Sequence, residues 1–593
     1  MTVHENSTPA EQTLAAGWSA LRRAFDWMLQ FDAGGGRVIC PEHQVEHGGK
    51  NAGLIVIALE LAKRTQGQER EDLHEVALQQ GERLVSNLVR EDTSPCFTFR
   101  PGRHDPFNCS NSVIDGGAAS DALGALVRGL EHECPQERLV PMREASLKHA
   151  RTYLRYAILD KGVPAQRAWG LTGLASAWAL EEDPVLMEAA LGAYGLLAGI
   201  QHPDGSYPYH PLPWGAGHAG ASDVSAYYQS RVTAFGLHAL QDLQLEGDDL
   251  PDLGAFRRGL DFLLGLQGPD GIKCGLVEAK PWYWGATYEV ASHPFDVAAL
   301  AFGWKRFGDE RYAQGALRGL QAWSAHLDSN GSPRSHLPGH GRSRSYQCPV
   351  FWAGHAMWLA RALPILELYV TEAPGATEPF PLLQSFEDAA LYRLEDERVV
   401  AWVRAGRPGV NVSHGSPHGA GLIRVLRKSD GLELLPRCRL GGHQAGEWCG
   451  VQGLPSLSRG LRAGGKEVRF SLWLARVHWR AGRSLDALRT PFATFRRGVL
   501  AFAHGRVSSA FHLSPEVHSD QAGRVHLSSC LAWRDGSPAP HTTIEREFSV
   551  DGKGLLVQER WTGRPMNSGM QYQVPELATE VERSATEIRY RLS

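Results

Sequence analysis

No run of eighteen apolar residues occurs anywhere in this sequence, so no segment reads as a membrane-spanning helix. The first residues, MTVHENSTPAEQTLAAGW, lack both a basic start and an uninterrupted apolar stretch, so no signal peptide is read there and a cytoplasmic location is expected. An excess of positive charge is missing too. The chain of 593 residues carries 61 Lys and Arg against 65 Asp and Glu, net -4, without the basic footprint of a nucleic-acid or membrane-surface binder. Nine cysteines are scattered from Cys40 to Cys530 with no CxxC pair, which gives neither a zinc-site spacing nor a compact disulfide framework. What is abundant is apolar residues, 43% of the chain, enough to bury a large core in two domains or one large repeat.

Apolar residues recur at i, i+3, i+4 and i+7 in about twelve segments between residues 12 and 370. The connections between them alternate. Long loops rich in Gly, Pro, His and aromatics, such as QHPDGSYPYHPLPWGAGHAGASDVSAYYQSR from Gln201 to Arg231, follow every second segment, while the others are short. An Asp or Asn turn with Gly recurs at Asp160 with Gly162, Asp204-Gly205, Asp270-Gly271 and Asn330-Gly331. Six helical hairpins with the elaborate loops on one end are what an (α/α)6 toroid requires, and the loops then frame a common cleft. A helical solenoid whose loops only cap helices is the plainer alternative, but it leaves the loop Trp, Tyr, His and Asn unexplained.

Near residue 371 the pattern changes. TEAPGATEPFP reads as a linker, and beyond it short runs such as ALYRLED, VVAWVRA, AGLIRVL, EVRFSLWLARVHW, VHLSSCLAW, TTIEREFSV and GLLVQERW alternate with period two. The expected organisation is a multidomain chain, helical then β: a toroid over 1–370, a linker over 371–385, and an antiparallel β-sandwich over 386–593.

In the opening loop, PDGS at Pro203–Ser206 precedes Asp223, Ser225, Tyr228 and Gln229 at the spacing of a motif E-x-S-x-x-Y-H, with Asp for Glu and Gln for His. Toroid, sandwich and this motif together resemble the heparinase II/III-like polysaccharide lyases and their alginate-lyase relatives. The resemblance implies a lyase acting on uronate-containing glycans, with Tyr228 as the proton-transfer residue. At the family's Asn-His position stand Gln166 and Arg167, and its H-x-H-x-D strand is echoed by SHGSPHGAG, giving His414 and His418 without the following Asp. The metal-ligand set is therefore incomplete: no cofactor is called for, and metal content stays open.

The chemistry has its own logic. Cleaving a uronate by β-elimination needs neutralisation of the carboxylate, a base for the C5 proton and an acid for the leaving oxygen. A phenol near cations can act as base and then acid. Arg231 lies one helical turn beyond Tyr228. Gln166, Arg167, Asn108 and Asn111 are candidate carboxylate partners, with His414 sharing the proton work. Trp282, Tyr283, Trp284 and Tyr288 suit stacking on sugar rings, and His336, Arg342 and Arg344 supply local positive charge for an acidic poly- or oligosaccharide. Each has a plainer alternative: a packed tyrosine, an N-cap at Asn111, a core of loop aromatics, a solvated basic loop.

Two other functions fit the same features. A glycoside hydrolase would use paired carboxylates from Asp115, Asp223 and Glu289, and a non-catalytic glycan-binding protein would need only the aromatic cleft. The sequence names neither the sugar nor the oligomeric state. A terpene-cyclase reading lacks its DxDD acid motif.

Overall fold

The computed structural model describes residues 7–40, 45–46, 48–86, 110–159, 162–214, 224, 226–245, 253–274, 292–333, 349–372, 381–406, 420–435, 445–451, scattered positions between 461 and 495, and 506–520, 522–533, 536–539, 541–563 and 570–593. Among the described residues, twelve helices of ten or more residues make up most of the first part. Six form an outer layer: α1 (Pro9–Leu29), α3 (Gln68–Ser86), α5 (Gln136–His149), α7 (Pro184–Ala198), α9 (Gly254–Leu266) and α11 (Glu310–Ala325). Six alternate with them as an inner layer: α2 (Gly53–Ala62), α4 (Ser110–Leu130), α6 (Pro164–Glu181), α8 (Ala226–Asp242), α10 (His293–Phe307) and α12 (Pro349–Thr371). Each inner helix packs on the next and α12 returns to α2, so the ring closes as an (α/α)6 toroid.

Composition explains the layering. In α2 every residue but Glu60 is buried, as expected of a helix surrounded by protein on all sides. The outer α11 instead buries a stripe, Tyr312, Ala313, Gly315, Ala316, Gly319, Leu320 and Trp323, with its other positions half-buried or, at Gln321 and Ala325, exposed. Helix starts are marked locally. Thr8 and Glu11 form a reciprocal capping box on α1, and Asp183 and Asp309 accept from Val185 and Arg311 backbone N–H groups to start α7 and α11.

The Asp/Asn-Gly turns repeat as three-dimensional units. In each, Gly205, Gly271 or Gly331 adopts positive φ (87°, 77° and 84°), while Asp204, Asp270 or Asn330 accepts the backbone N–H two residues on, from Ser206, Ile272 or Ser332. A Cβ on these glycines would collide with the carbonyl of Arg258, Arg318 or Arg23 on the next outer helix around the ring. The turns are thus the joints between neighbouring hairpins.

After α12 the chain becomes antiparallel β. A five-stranded sheet runs in sequence order: β1 (Leu383–Phe386), β2 (Leu391–Glu395), β3 (Val399–Arg404), β4 (Gly421–Arg427) and β5 (Glu433–Leu435). A four-stranded sheet contains β6 (Trp448–Val451), β7 (Arg506–Ser508), β10 (Ala532–Trp533) and β13 (Gln571–Tyr572). The six-stranded sheet is β8 (Glu516–Asp520), β9 (Arg524–Ser529), β11 (Thr542–Val550), β12 (Leu555–Gly563), β15 (Glu587–Leu592) and β14 (Thr579–Arg583), in that spatial order. One apolar core joins all three, from Val399, Ala401 and Val403 to Trp448, Ile544, Phe548 and Tyr590. Strand β1 occupies part of the stretch expected as linker.

The other face of the five-stranded sheet is also covered. Val400, Trp402, Ile423 and Leu426 pack with Phe262, Leu266 and Cys274 of the ring, which is why β3 is buried at every position. Trp402 Nε1 donates to the Gly265 carbonyl at 2.8 Å, and Arg424 bonds Asp270 Oδ2 at 2.5 Å, Glu433 Oε1 at 3.0 Å and the Ile272 carbonyl at 2.8 Å. The sandwich therefore sits on the ring's long-loop end. One expected strand differs: in EVRFSLWLARVHW the described positions Leu472, Ala475, Arg476 and Trp479 are helical.

Candidate active site

Every inner helix begins at the long-loop end, so the first turns of α4, α6, α8, α10 and α12 meet around the ring axis. Beneath them the axis is filled by aromatics. Phe235 stacks on Trp358 with centroids 4.1 Å apart and lies 5.0 Å from Trp169 and 5.6 Å from Phe295. This plug gives the cleft a floor.

Tyr228 and Arg231 stand on the first turns of α8. The Arg231 guanidinium lies 5.0 Å from the Tyr228 ring centroid, 4.6 Å from Phe295 and 5.9 Å from Trp169, and its Nη2 is 3.4 Å from His355 Nε2 on α12. Arginine only donates, so this contact makes Nε2 of His355 the acceptor and places that imidazole's proton on Nδ1. Tyr228 is half-buried, with the Tyr209 ring 4.8 Å away and tilted by 41°. A phenol, a guanidinium and an imidazole thus converge on an aromatic floor.

Beside them lies a buried ion pair. Lys273 Nζ, from the end of the turn after α9, is 3.0 Å from Asp296 Oδ1 on α10 and donates to the Ala226 carbonyl at 2.8 Å, at the very start of α8. Burial pushes the Asp296 carboxyl up from its ordinary value, and Lys273 and Arg231 only partly offset this. Gln229, which stands where the resembled motif has His, is buried and clamps a loop: its Oε1 accepts from Tyr207 N at 2.7 Å and its Nε2 donates to Tyr207 O at 2.9 Å.

The other expected residues divide. Gln166, in the first turn of α6, is half-buried with Oε1 out of solvent and no hydrogen-bond partner. Arg167 is buried and donates to the Ala157 carbonyl beyond α5, which draws part of its guanidinium outward between layers. Asp115 is buried on α4, its backbone against Gly49. Asn111 falls within α4 with its side chain outside the described residues. Asn108, Asp223, Trp282, Tyr283, Trp284, Tyr288, Glu289, His336, Arg342, Arg344, His414 and His418 also lie outside the described residues. The sequence had not singled out His355, Lys273 or Asp296. Their signal is a lone polar residue in an apolar helix, as in FWAGHAMWLA and HPFDVAALAF, or just after a turn.

At the far end of the axis Asp121, His238 and Asp242 bring ligand-type atoms within 4.8 Å of one another. They do not suit a divalent cation. Arg361 already holds both Asp121 oxygens at 2.7 and 2.8 Å, and Arg128 Nη2 is 3.2 Å from Asp242 Oδ2, so two guanidinium groups balance the two carboxylates.

No protein-family model and no curated protein matches this chain. Solved structures match by fold. The chondroitin AC lyase of Streptomyces coelicolor, solved with chondroitin sulphate, aligns over 98% of this chain and 71% of its own at 12% identity and a TM-score of 0.51. A glycosyl hydrolase family 88 protein from Bacteroides vulgatus aligns over 60% of this chain and 100% of its own, at 10% identity and a TM-score of 0.42. The cellobiose 2-epimerase of Spirochaeta thermophila gives 60%, 99%, 13% and 0.43 in the same order. The first of these spans both parts of the chain and shows the shared fold, a helical toroid followed by antiparallel sheets. No helix among the described residues is long and apolar enough to cross a membrane.

Proposed function

We propose that this chain is a carbohydrate-active enzyme that cleaves uronate-containing poly- or oligosaccharides by β-elimination, with the toroid, residues 1–370, as its catalytic unit. The observation that carries this reading is the convergence of Tyr228, Arg231 and His355 at the mouth of the ring. Tyr228 takes the C5 proton and returns it to the leaving glycosidic oxygen. Arg231 stabilises the charge that builds on the phenol oxygen, and Gln166, with its open acceptor and its amide donors, contributes with Asn108 and Asn111 to binding the substrate carboxylate. The fold likeness to a lyase solved with chondroitin sulphate supports an acidic glycan as substrate.

The described surroundings of Tyr228 favour elimination over hydrolysis, since the charged group beside it is the cation Arg231, which in turn meets the His355 imidazole, and the nearby Asp296 is already paired with Lys273. The test is Tyr228→Phe with acidic polysaccharides, following the ultraviolet absorbance of the unsaturated uronate that only elimination makes. Turnover should fall about 10²-fold or more with the fold unchanged. Full activity in Tyr228→Phe, together with loss in Asp115→Asn, Asp223→Asn or Glu289→Gln, would instead identify a hydrolase.

A further inference from the structure

Lys273 occupies a place that packing alone does not explain. It is 2% exposed, just beyond the Asp270-Gly271 turn, and its backbone is pinned on both sides: Gly268 N donates to the Ile272 carbonyl at 2.9 Å and Cys274 N to the Leu266 carbonyl at 2.7 Å. From there its ammonium reaches two helices at once. It donates to the carbonyl of Ala226, the first residue of α8, at 2.8 Å, and lies 3.0 Å from Asp296 Oδ1 in the first turn of α10. Helix stability would set an anion at the start of either helix, not a cation, because the positive end of the macrodipole lies there. Asp296, 4% exposed, supplies the compensating charge: burial raises its carboxyl, while Lys273, the Ser230 hydroxyl and Arg231 draw it back toward the charged form. A buried ion pair of this kind is often no more stabilising than a well-packed apolar pair, so stability gives no reason for it.

We propose that Lys273 and Asp296 are positioning residues for proton transfer at Tyr228: their contact holds the first turn of α8 against that of α10 and keeps Arg231 between the Tyr228 and Phe295 rings. The role rests on the lyase reading proposed above. Three observations carry it. Ala226, which Lys273 holds, comes two residues before Tyr228, less than one helical turn away. Phe295, whose ring centroid is 4.6 Å from the Arg231 guanidinium, directly precedes Asp296. The same guanidinium lies 5.0 Å from the Tyr228 ring, so it spans the seam between the two helices that one ammonium closes. Lys273 and Asp296 act without touching the sugar. What they fix is the wall on which Arg231 rests beside the phenol, and a displacement of about 1 Å at such a site costs about 10²-fold in rate.

The experiment follows elimination of chondroitin sulphate and alginate tetrasaccharides by the full chain, with hydrogen or deuterium at C5 of the uronate, at a temperature where each variant is folded by circular dichroism. Lys273→Met should lower kcat about 10²-fold and change KM less than about threefold. Its C5-deuterium isotope effect should rise, because a misplaced phenol makes proton removal the slow step. Asp296→Asn keeps an acceptor for Lys273 and should lose less than Asp296→Leu. Lys273→Met combined with Asp296→Leu strands no charge, so its urea midpoint should recover toward the parent's while kcat stays low. That double variant decides the matter where Lys273→Met alone does not fold. Recovery of kcat together with the midpoint, or a kcat in folded Lys273→Met equal to the parent's, overturns the positioning role and leaves the lyase reading intact. Absence of elimination by the parent on every acidic glycan tried overturns both.

Discussion

Arg361→Met tests whether the closed ring depends on a polar bolt across its axis. Asp121 on α4 is wholly buried, and Arg361 on α12 holds it with two hydrogen bonds of 2.7 and 2.8 Å while lying over the Trp358 ring at 5.0 Å. His238 on α8 approaches the same carboxylate at 3.6 Å. The cluster therefore joins three alternate inner helices, α4, α8 and α12, which do not otherwise follow one another around the ring. Methionine keeps most of the stem and removes the charge, leaving a buried carboxylate with only the imidazole beside it. Breaking a buried pair from one side costs about 3–5 kcal/mol. Urea unfolding followed by helical circular dichroism should show a clearly lower midpoint, and Asp121→Leu combined with Arg361→Met should recover most of the loss because no charge is then stranded.

The pH dependence gives a second reading of the same site. Burial by itself raises the Asp121 carboxyl, but Arg361 and His238 outweigh it and hold the group well below the usual carboxylate range. A depressed folded value means that the unfolded chain binds the proton first, so the stabilisation is complete above about pH 4 and is lost as pH falls toward the folded value. In Arg361→Met the carboxyl no longer has its cation and protonates more readily. The gap between variant and parent should therefore be widest near neutral pH and shrink in acid. An unchanged midpoint, a double variant as weak as the single one, or a gap that widens in acid would refute this account.

Lys273→Met should strand the Asp296 carboxyl that burial already raises, costing about 3–5 kcal/mol; hydrogen exchange should quicken at the start of α8, where the Ala226 carbonyl loses its donor. Asp270→Asn keeps an oxygen for the Ile272 N–H but turns an amide N–H group toward Arg424 in place of the accepting oxygen, so thermal stability should fall by about 1–3 kcal/mol, while Asp270→Ala, which loses the turn cap as well, should fall further. Equal losses in the two variants would mean that docking, and not the turn, accounts for the whole effect.

The twelve helices were legible because a toroid writes itself into connection lengths. Outer-to-inner joints such as Gly199 to Val224 carry the loops, whereas inner-to-outer joints such as Glu182–Asp183 are nearly as short as a joint can be. The Asp-Gly turns were legible for a local reason, since positive φ and an Asx cap need only neighbouring residues. The site was less so. Tyr228 and Arg231 are one turn apart and announce each other, but His355 lies 124 residues beyond Arg231, and Lys273 meets Asp296 and Ala226 only through closure of the ring. Gln229 shows the limit of motif comparison. Read as a replacement for a histidine, it is a backbone clamp on Tyr207, a role that depends on a partner 22 residues away. The run EVRFSLWLARVHW misled for a different reason, because dense apolar residues fit a two-residue and a helical period alike.

The distribution of charge among the repeated turns explains where the sandwich sits. In the turn after α7, one oxygen of Asp204 caps Ser206 N and the other accepts from Ala389 N of the β1–β2 connection. In the turn after α9, one oxygen of Asp270 caps Ile272 N and the other meets Arg424 on β4. The turn after α11 has Asn330, whose single carbonyl oxygen is spent on the backbone and hydroxyl of Ser332. A carboxylate has the second oxygen that reaches outward, and an amide in this setting does not. Two charged turns therefore dock the five-stranded sheet beside the start of α8 and α10, the helices that carry Tyr228, Arg231 and Asp296. Arg424 grips the Ile272 carbonyl and Asp270, and the next residue, Lys273, grips the start of α8, so the sheet is linked to the phenol-bearing turn by one short chain of buried polar contacts. The sandwich is in this way part of what fixes the geometry of the cleft, and a ring separated from it would keep its helices but lose the outer hold on the Lys273 turn.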